Sequence, residues 1–279
     1  MSILFGCLAA IAWAIHDLCI WRLGRNHAIL NCVLAILLSG LVLVLPAAIV
    51  FGGFHDVGRN SILLSVGAGL FYAVAVCALF IAFSIGPIRL AAPIVGAFPV
   101  GSVALAAATG TAISVGEYMA IAVILGGITV MAMLGDSQQS DKPNSHVILI
   151  SALSAIGFFL AFSLGQAAMK NGSELVLIAS MRTTAAVAVG VAALVTGRRP
   201  MPERGVLLLL CGMGLLDATA LGLVLSGGLT DRPEFTVVIA SSFGLLTIIL
   251  ARLFFREPMN IPQWICVCGV FTGIGYLSA

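Results

Sequence analysis

An all-α integral membrane protein, with ten transmembrane helices set out as two inverted five-helix repeats, is the fold this sequence predicts, and three observations predict it. The first is composition: of 279 residues, 61% are hydrophobic and 9% charged, and the mean hydropathy is +1.18. A soluble domain carries about 25% charged residues to cover its surface, so lipid must cover this one. The second is the length of the apolar runs. Ten runs of about 20 residues, each enough to cross a hydrocarbon core about 30 Å thick, take up roughly 200 positions and leave only short loops. The third is that the two halves match each other at one fixed offset. A Rossmann or TIM-type enzyme and a DNA-binding module are excluded, and a net charge of +2 offers no footprint for nucleic acid.

Taken in order, the spans run over about 3–21, 29–51, 61–83, 90–109, 117–134, 147–168, 175–196, 206–227, 235–254 and 260–278, each bounded by charged or Gly/Pro-containing breaks. The first contains Ala12-Trp13-Ala14, which imitates a cleavage site, but no Lys or Arg precedes Arg22 to make the charged head of a signal peptide, so it reads as a span. The longest polar interval, GDSQQSDKPNSH at 135–146, divides residues 1–134 from residues 147–279. Shifting by 145 residues lays AIAWAIHDLCIWRLGRN (10–26) on AIGFFLAFSLGQAAMKN (155–171), matching Trp13 with Phe158, Arg25 with Lys170 and Asn26 with Asn171. The same shift lays Gly67 and Gly69 on Gly212 and Gly214, Ala73 and Ala75 on Ala218 and Ala220, and Phe98 on Phe243 without gaps. An odd number of helices per half makes the second half enter from the opposite side. Loops 1, 3, 5, 7 and 9 carry Arg22, Arg25, Arg89, Lys142, Arg198, Arg199, Arg204, Arg252 and Arg256, against Arg59, Lys170 and Arg232 in loops 2, 6 and 8. The positive-inside rule then sets the odd loops in the cytoplasm and both termini outside.

Two segments carry a family resemblance. PIVGAFPV (93–100) leads to Gly116-Glu117 with Gly126-Gly127 beyond it, and VIASSFGLL (238–246) leads to Arg256-Glu257 with Gly269 and Gly273 beyond it. With ten helices and a five-plus-five duplication, the chain resembles the EamA-type members of the drug/metabolite transporter superfamily over nearly its whole length. The resemblance implies secondary transporters of small organic solutes, often outward, with helices 5 and 10 peripheral and the other eight around a central cavity. It also implies cytoplasmic termini, against the charge bias. Ser242 stands where a second proline is common in the family.

Polar residues inside helices are the candidates for chemistry, because an ionised side chain at the bilayer centre costs about 2.5–3.5 kcal/mol on insertion scales. Asp217, in the middle of helix 8 with Gly214 on the same face, reads as a protonatable carboxylate or as the ion-pair partner of Arg182. Arg182, in helix 7, either clamps a substrate carboxylate or serves as counter-ion to Asp217 or Asp17. Helix 1 sets Trp13, Asp17 and Trp21 on one stripe, an aromatic and carboxylate pattern suited to an amine, while Asp17 equally reads as an interfacial ion pair with Arg22, and His16 reads as a proton relay or as a merely hydrogen-bonded helix residue. Tyr72 is the repeat mate of Asp217 and so faces the same central space. Gln166, Ser241, Ser242 and Thr247 are hydrogen-bonding candidates that equally well bond their own helices. Pro93 and Pro99 kink helix 4 or free its carbonyls. Glu117 and Glu257 read as helix caps, Gly269-xxx-Gly273 as a packing or dimerisation face, and the seven cysteines as core hydrophobes, not a disulfide or metal framework.

The chain is therefore read as a transporter, not an enzyme, with no cofactor and no metal: it lacks the His/Glu i, i+4 spacing of an intramembrane hydrolase, the charged loops of phosphate chemistry and a P-loop. A lipid-modifying membrane enzyme and a non-transporting assembly protein are the other readings. The expected partners are a small-molecule substrate, the lipid bilayer of the inner (plasma) membrane and a coupling proton taken up by Asp217, with the chain acting as a monomer or homodimer. Amino acids or related metabolites come first as solutes and drug-like cations second, since an aromatic content of 8% disfavours a broad aromatic pocket.

Overall fold

The computed structural model describes residues 1–23, 29–54, 57–85, 91, 94–134, 145–197, 204–255 and 261–278. The polar linker at 135–144, Asn26, Pro93, Glu257 and the loop cations Arg25, Arg89, Lys142, Arg198, Arg199 and Arg256 lie outside them, as do the side chains of Trp21, Arg22, Thr247 and Arg252. In lipid every backbone N–H and C=O needs a partner within its own segment, so apolar runs of this length form helices. They are α1 (Ser2–Leu23), α2 (Ile29–Phe51), α3 (Arg59–Ile85), α4 (Phe98–Ala108), α5 (Val115–Leu134), α6 (Ser145–Met169), α7 (Glu174–Val195), α8 (Leu207–Ser226), the two-part α9a (Pro233–Ala240) and α9b (Phe243–Phe255), and α10 (Ile261–Ser278). Over their described residues α2, α3, α6, α7 and α8 are each long and apolar enough to cross a membrane. Large apolar side chains face outward, as in the stripe Leu4, Leu8, Ile11 and Ile15 along α1. Such a surface is stable against lipid and not against water.

The helices pair in a pattern that survives exchange of the two halves. The α3 helix packs on α6 and α1 on α8, α2 packs on α8 and α3 on α7, and the repeat mates α2 and α7, and α5 and α10, pack on each other. Those mates run antiparallel. Along α2, Leu34, Gly40 and Gly52 meet Gly190, Arg182 and Val176 in falling order, and along α5, Gly116 and Gly127 meet Tyr276 and Val270. Close approach at the centre depends on two glycines 145 residues apart. A Cβ at Gly69 would strike the carbonyl oxygen of Met181, and one at Gly214 would strike that of Ile36, which is again 145 residues from Met181. The core follows the expected division. One apolar cluster joins α1–α4 and α6–α9, and a second one gathers α5 and α10 with Val103, Phe235, Val238 and Leu245.

Helices 4 and 9 are both interrupted, and at equivalent places. A turn at Gly96-Ala97 precedes α4, and a turn at Ser241-Ser242 separates α9a from α9b, again at an offset of 145. Pro99 lies in the first turn of α4, where its missing N–H costs nothing. Ser241 and Ser242 donate their hydroxyls to the carbonyls of Val238 and Ile239, both at 2.7 Å, so their donors are spent within the break that they stabilise. Gly269 and Gly273 face α5, where a Cβ at Gly273 would crowd Ile124 and the carbonyl of Ala120, which makes them an intramolecular packing face.

Substitution of Gly214 by Ala is expected to lower stability by about 1–3 kcal/mol through overpacking. Gly212, two residues earlier on the other side of the helix with open space at its Cβ position, is the control, and its change to Ala is neutral or mildly stabilising. Thermal unfolding in detergent checks this, and equal midpoints for the two variants would refute the close-packing argument.

Candidate functional site

At the centre of the molecule the carboxylate of Asp217 is bonded from three helices. Trp13 Nε1 of α1 donates to Oδ1 at 3.1 Å, Tyr72 Oη of α3 donates to the same oxygen at 2.6 Å, and Arg182 Nη1 of α7 donates to Oδ2 at 2.8 Å. Arg182 is fully buried and reaches a fourth helix through Nη2, which donates to the carbonyl of Ile36 at 3.3 Å. Gly40 is what admits it, because a Cβ there would overlap the guanidinium. Of the readings open for Arg182, the geometry realises the ion pair with Asp217: the guanidinium is sealed in packing and is absent from the wall of the cleft. Tyr72 and Asp217, repeat mates expected to face one space, are in direct contact across it.

Below this network lies a narrow cleft lined by Trp13, His16 and Asp17 of α1, Ile36 and Leu37 of α2, Tyr72, Val76, Leu79 and Phe80 of α3, Val95 and Phe98 at the α4 break, Phe158 and Phe162 of α6, Asp217 of α8 and Phe243 of α9b. Eight of these residues are repeat mates of one another: Trp13 and Phe158, Asp17 and Phe162, Tyr72 and Asp217, Phe98 and Phe243. The cleft therefore straddles the boundary between the halves. Its aromatic rings form a continuous layer, with Phe98 against Phe162 at 5.4 Å between centroids, Phe158 on Phe162 at 5.6 Å, and Trp13 against Phe162 and Phe243 at 5.8 and 5.9 Å. Seven aromatic side chains converge here, so the modest chain-wide average gave a misleading picture of the pocket. Composition averages over every position, the outward-facing ones included, and does not report where the rings gather.

Among the described residues, the cleft wall draws on the C-terminal halves of α1 and α3. On the far side of Asp217 the corresponding space is filled by Gly165 and Gln166 of α6 packed against Leu225 and Gly228. Gln166 Nε2 donates to the carbonyl of Val224 at 2.9 Å and stands outside the cleft wall, so it belongs to the closed side. Nearby, Ser2 Oγ donates to Thr230 Oγ1 at 2.8 Å and Thr236 Oγ1 donates to the carbonyl of Ser2 at 3.1 Å. Glu117 caps α5 as expected: its Oε2 accepts from the Ser114 N–H at 2.6 Å, and its own N–H donates to Ser114 Oγ at 3.2 Å, a capping box. Its other oxygen takes Arg232 Nη1 at 2.7 Å, a tie from α5 to the start of α9a that sequence reasoning missed, because nothing local links positions 117 and 232.

His16 and Asp17 stand together in the cleft wall, His16 Nδ1 lying 3.1 Å from Asp17 Oδ1. Of the seven candidate site residues, Asp217, Asp17, Trp13, His16 and Tyr72 converge on one cleft, Arg182 supports it from behind, and Gln166 lies apart. Among the lining members that sequence reasoning missed, Phe98, Phe158, Phe162 and Phe243 would have been found by the 145-residue offset applied to Trp13, Asp17 and the α4 break, whereas Phe80 and the aliphatic lining residues carry no such signal.

Residues 1–133 match the EamA-like transporter family, in agreement with the resemblance read from the sequence. One crystal structure, 15% identical, shares the fold at a TM-score of 0.83 over 99% of this chain and 96% of its own. No curated protein sequence matches the chain.

A buried pair of this kind makes a sharp prediction. Replacing Arg182 by Met or Asp217 by Leu alone leaves an uncompensated charge and is expected to cost about 3–5 kcal/mol, while the double replacement costs far less than the sum. Unfolding midpoints of the four proteins give the cycle, and additive losses would show that the two side chains do not depend on each other.

Proposed function

We propose that this chain, an EamA-like transporter sequence over residues 1–133 and a membrane transporter of the drug/metabolite kind, is a secondary active exporter in the inner (plasma) membrane. It works by alternating access. Residues 1–134 and 147–279 act as two inverted repeats that rock about the Asp217 network, closing the cleft on one face of the membrane as they open its counterpart on the other. The observation that carries this reading is the position of the cleft: it lies beside the Asp217 network and is walled by repeat mates from both halves. Secondary transporters hold their solute sites at such a boundary.

The chemistry of the wall indicates the solute class. The charged groups it presents are Asp17 and Asp217, set among aromatic rings, and Arg182 is withdrawn behind Asp217. A small organic metabolite bearing an amine, such as an amino acid, fits that wall when the amine faces the carboxylates and its apolar body lies on the rings. Proton exchange drives it outward.

Proteoliposomes holding the purified protein and a cell metabolite extract, under an imposed pH gradient, provide the test. A small set of amine-bearing solutes is expected to leave faster than from protein-free liposomes. Trp13→Ala is expected to slow their efflux at least about tenfold, since it removes both an Asp217 donor and a cleft wall, and Leu8→Ala on the lipid face is expected to leave it unchanged. If no solute moves in either gradient direction with folded, inserted protein, the transport reading falls.

A further inference from the structure

The cleft wall contains two carboxylates, and they are not equivalent. Asp217 has both oxygens engaged and its charge matched by Arg182. Asp17, a fifth of whose side chain is exposed, takes its bond from His16 next to it. A carboxylate oxygen accepts, so the hydrogen sits on Nδ1, and in the neutral ring Nε2 then carries a lone pair. That Nε2 is buried and has no hydrogen-bond partner among the described residues. It is an acceptor held at the cleft without anything to accept.

We propose that His16 and Asp17 form one exchange site, at which a proton on His16 Nε2 and an organic cation against Asp17 exclude each other. The proposal rests on the transport reading and assigns its coupling to this pair, relieving Asp217 of that task. The charge balance is simple. With His16 neutral the pair carries one negative charge, and an organic cation is held by Asp17 and by the faces of Trp13, Phe162 and Phe243. When a proton joins the Nε2 lone pair, imidazolium and carboxylate neutralise each other and the cation loses its counter-charge. No other bond is made or broken.

The groups facing the pair do not take over this role. From α8, α7 and α3 come Asp217, Arg182 and Tyr72, already joined to one another, and from α9b comes Phe243. The charged residue of α9a, Glu234, is bonded to Arg232 at 2.6 Å at the opposite end of the molecule, and α10 has no charged residue. Cys19 of α1 and Cys32 of α2 lie together in a neighbouring apolar cluster, and Cys77 of α3 packs against the main core. The remaining charges in the sequence of these elements are Arg22 of α1, Arg59 at the start of α3, Glu174 at the start of α7 and Arg252 of α9b.

Titration calorimetry of the full chain in detergent with tetraphenylphosphonium as the probe tests the site. A proton on His16 removes the cation's counter-charge, so affinity is expected to fall about tenfold or more from pH 8 to pH 5, and probe binding to release protons within that range. His16→Gln should bind the probe with one affinity across that range and release none. Asp17→Asn should lose binding at least about tenfold at pH 8, and Asp17→Glu should restore it, with circular dichroism establishing that each variant is folded. A pH profile that survives in His16→Gln, an Asp17→Asn protein that binds like wild type, or a wild-type protein that binds no probe at pH 8 overturns the assignment. Metabolite efflux alongside any of these leaves transport standing without this site, whereas an intact profile with no efflux refutes transport and leaves the site.

Discussion

The pairing of Asp217 with Arg182 is the constraint around which the molecule is organised. Each charge alone would cost about 2.5–3.5 kcal/mol at the centre of a bilayer, and the protein offsets that by surrounding the carboxylate with donors from α1, α3 and α7 and giving the guanidinium a carbonyl of α2. Five helices thus meet at two side chains. Three come from the first half and two from the second, so the network ties the halves together at their common centre. The glycines at 40, 69 and 214 follow from it, since the backbones must come close for those bonds to form. A joint of this kind cannot open cheaply, so the alternating access proposed above would have to turn about it.

Much of this architecture was legible in the chain. Helix positions followed from apolar runs, because in a bilayer hydropathy and backbone hydrogen bonding demand the same element. The offset of 145 residues also predicted that Tyr72 and Asp217 face one space, and they are bonded to each other. Individual roles were harder to read. Arg182 allowed a substrate clamp and a counter-ion equally well, and only the depth at which α7 packs decides between them. Gln166 read as a lining residue because its helix enters the site, yet it points to Val224 on the closed side. A one-dimensional pattern gives the stripe on which a residue sits and not the level at which a neighbouring helix closes over it.

The cleft owes its character to the difference between the halves as much as to their likeness. Trp13 and Phe158 keep an aromatic ring at matched positions, and Phe98 and Phe243 do the same at the two helix breaks. At the next matched pair the first half has Asp17 and the second has Phe162, so the wall is charged on one side and apolar on the other. A solute with one charged end and one apolar end can then be held in a single orientation, which a strictly symmetric cleft would not achieve.

The seal opposite the cleft has a counterpart in the sequence that differs in kind. Its elements, Gly165 and Gln166 against Val224, Leu225 and Gly228, map through the 145-residue offset onto Ile20 and Trp21 against Leu79, Phe80 and Phe83. The seal is a hydrogen-bonded glutamine in a glycine seat, whereas the matching positions of the sequence hold bulky apolar residues. Hydrophobic association weakens on cooling and hydrogen bonding does not share that dependence. The Gln166 seal is therefore expected to keep its strength on cooling better than a contact built from the matching apolar residues would.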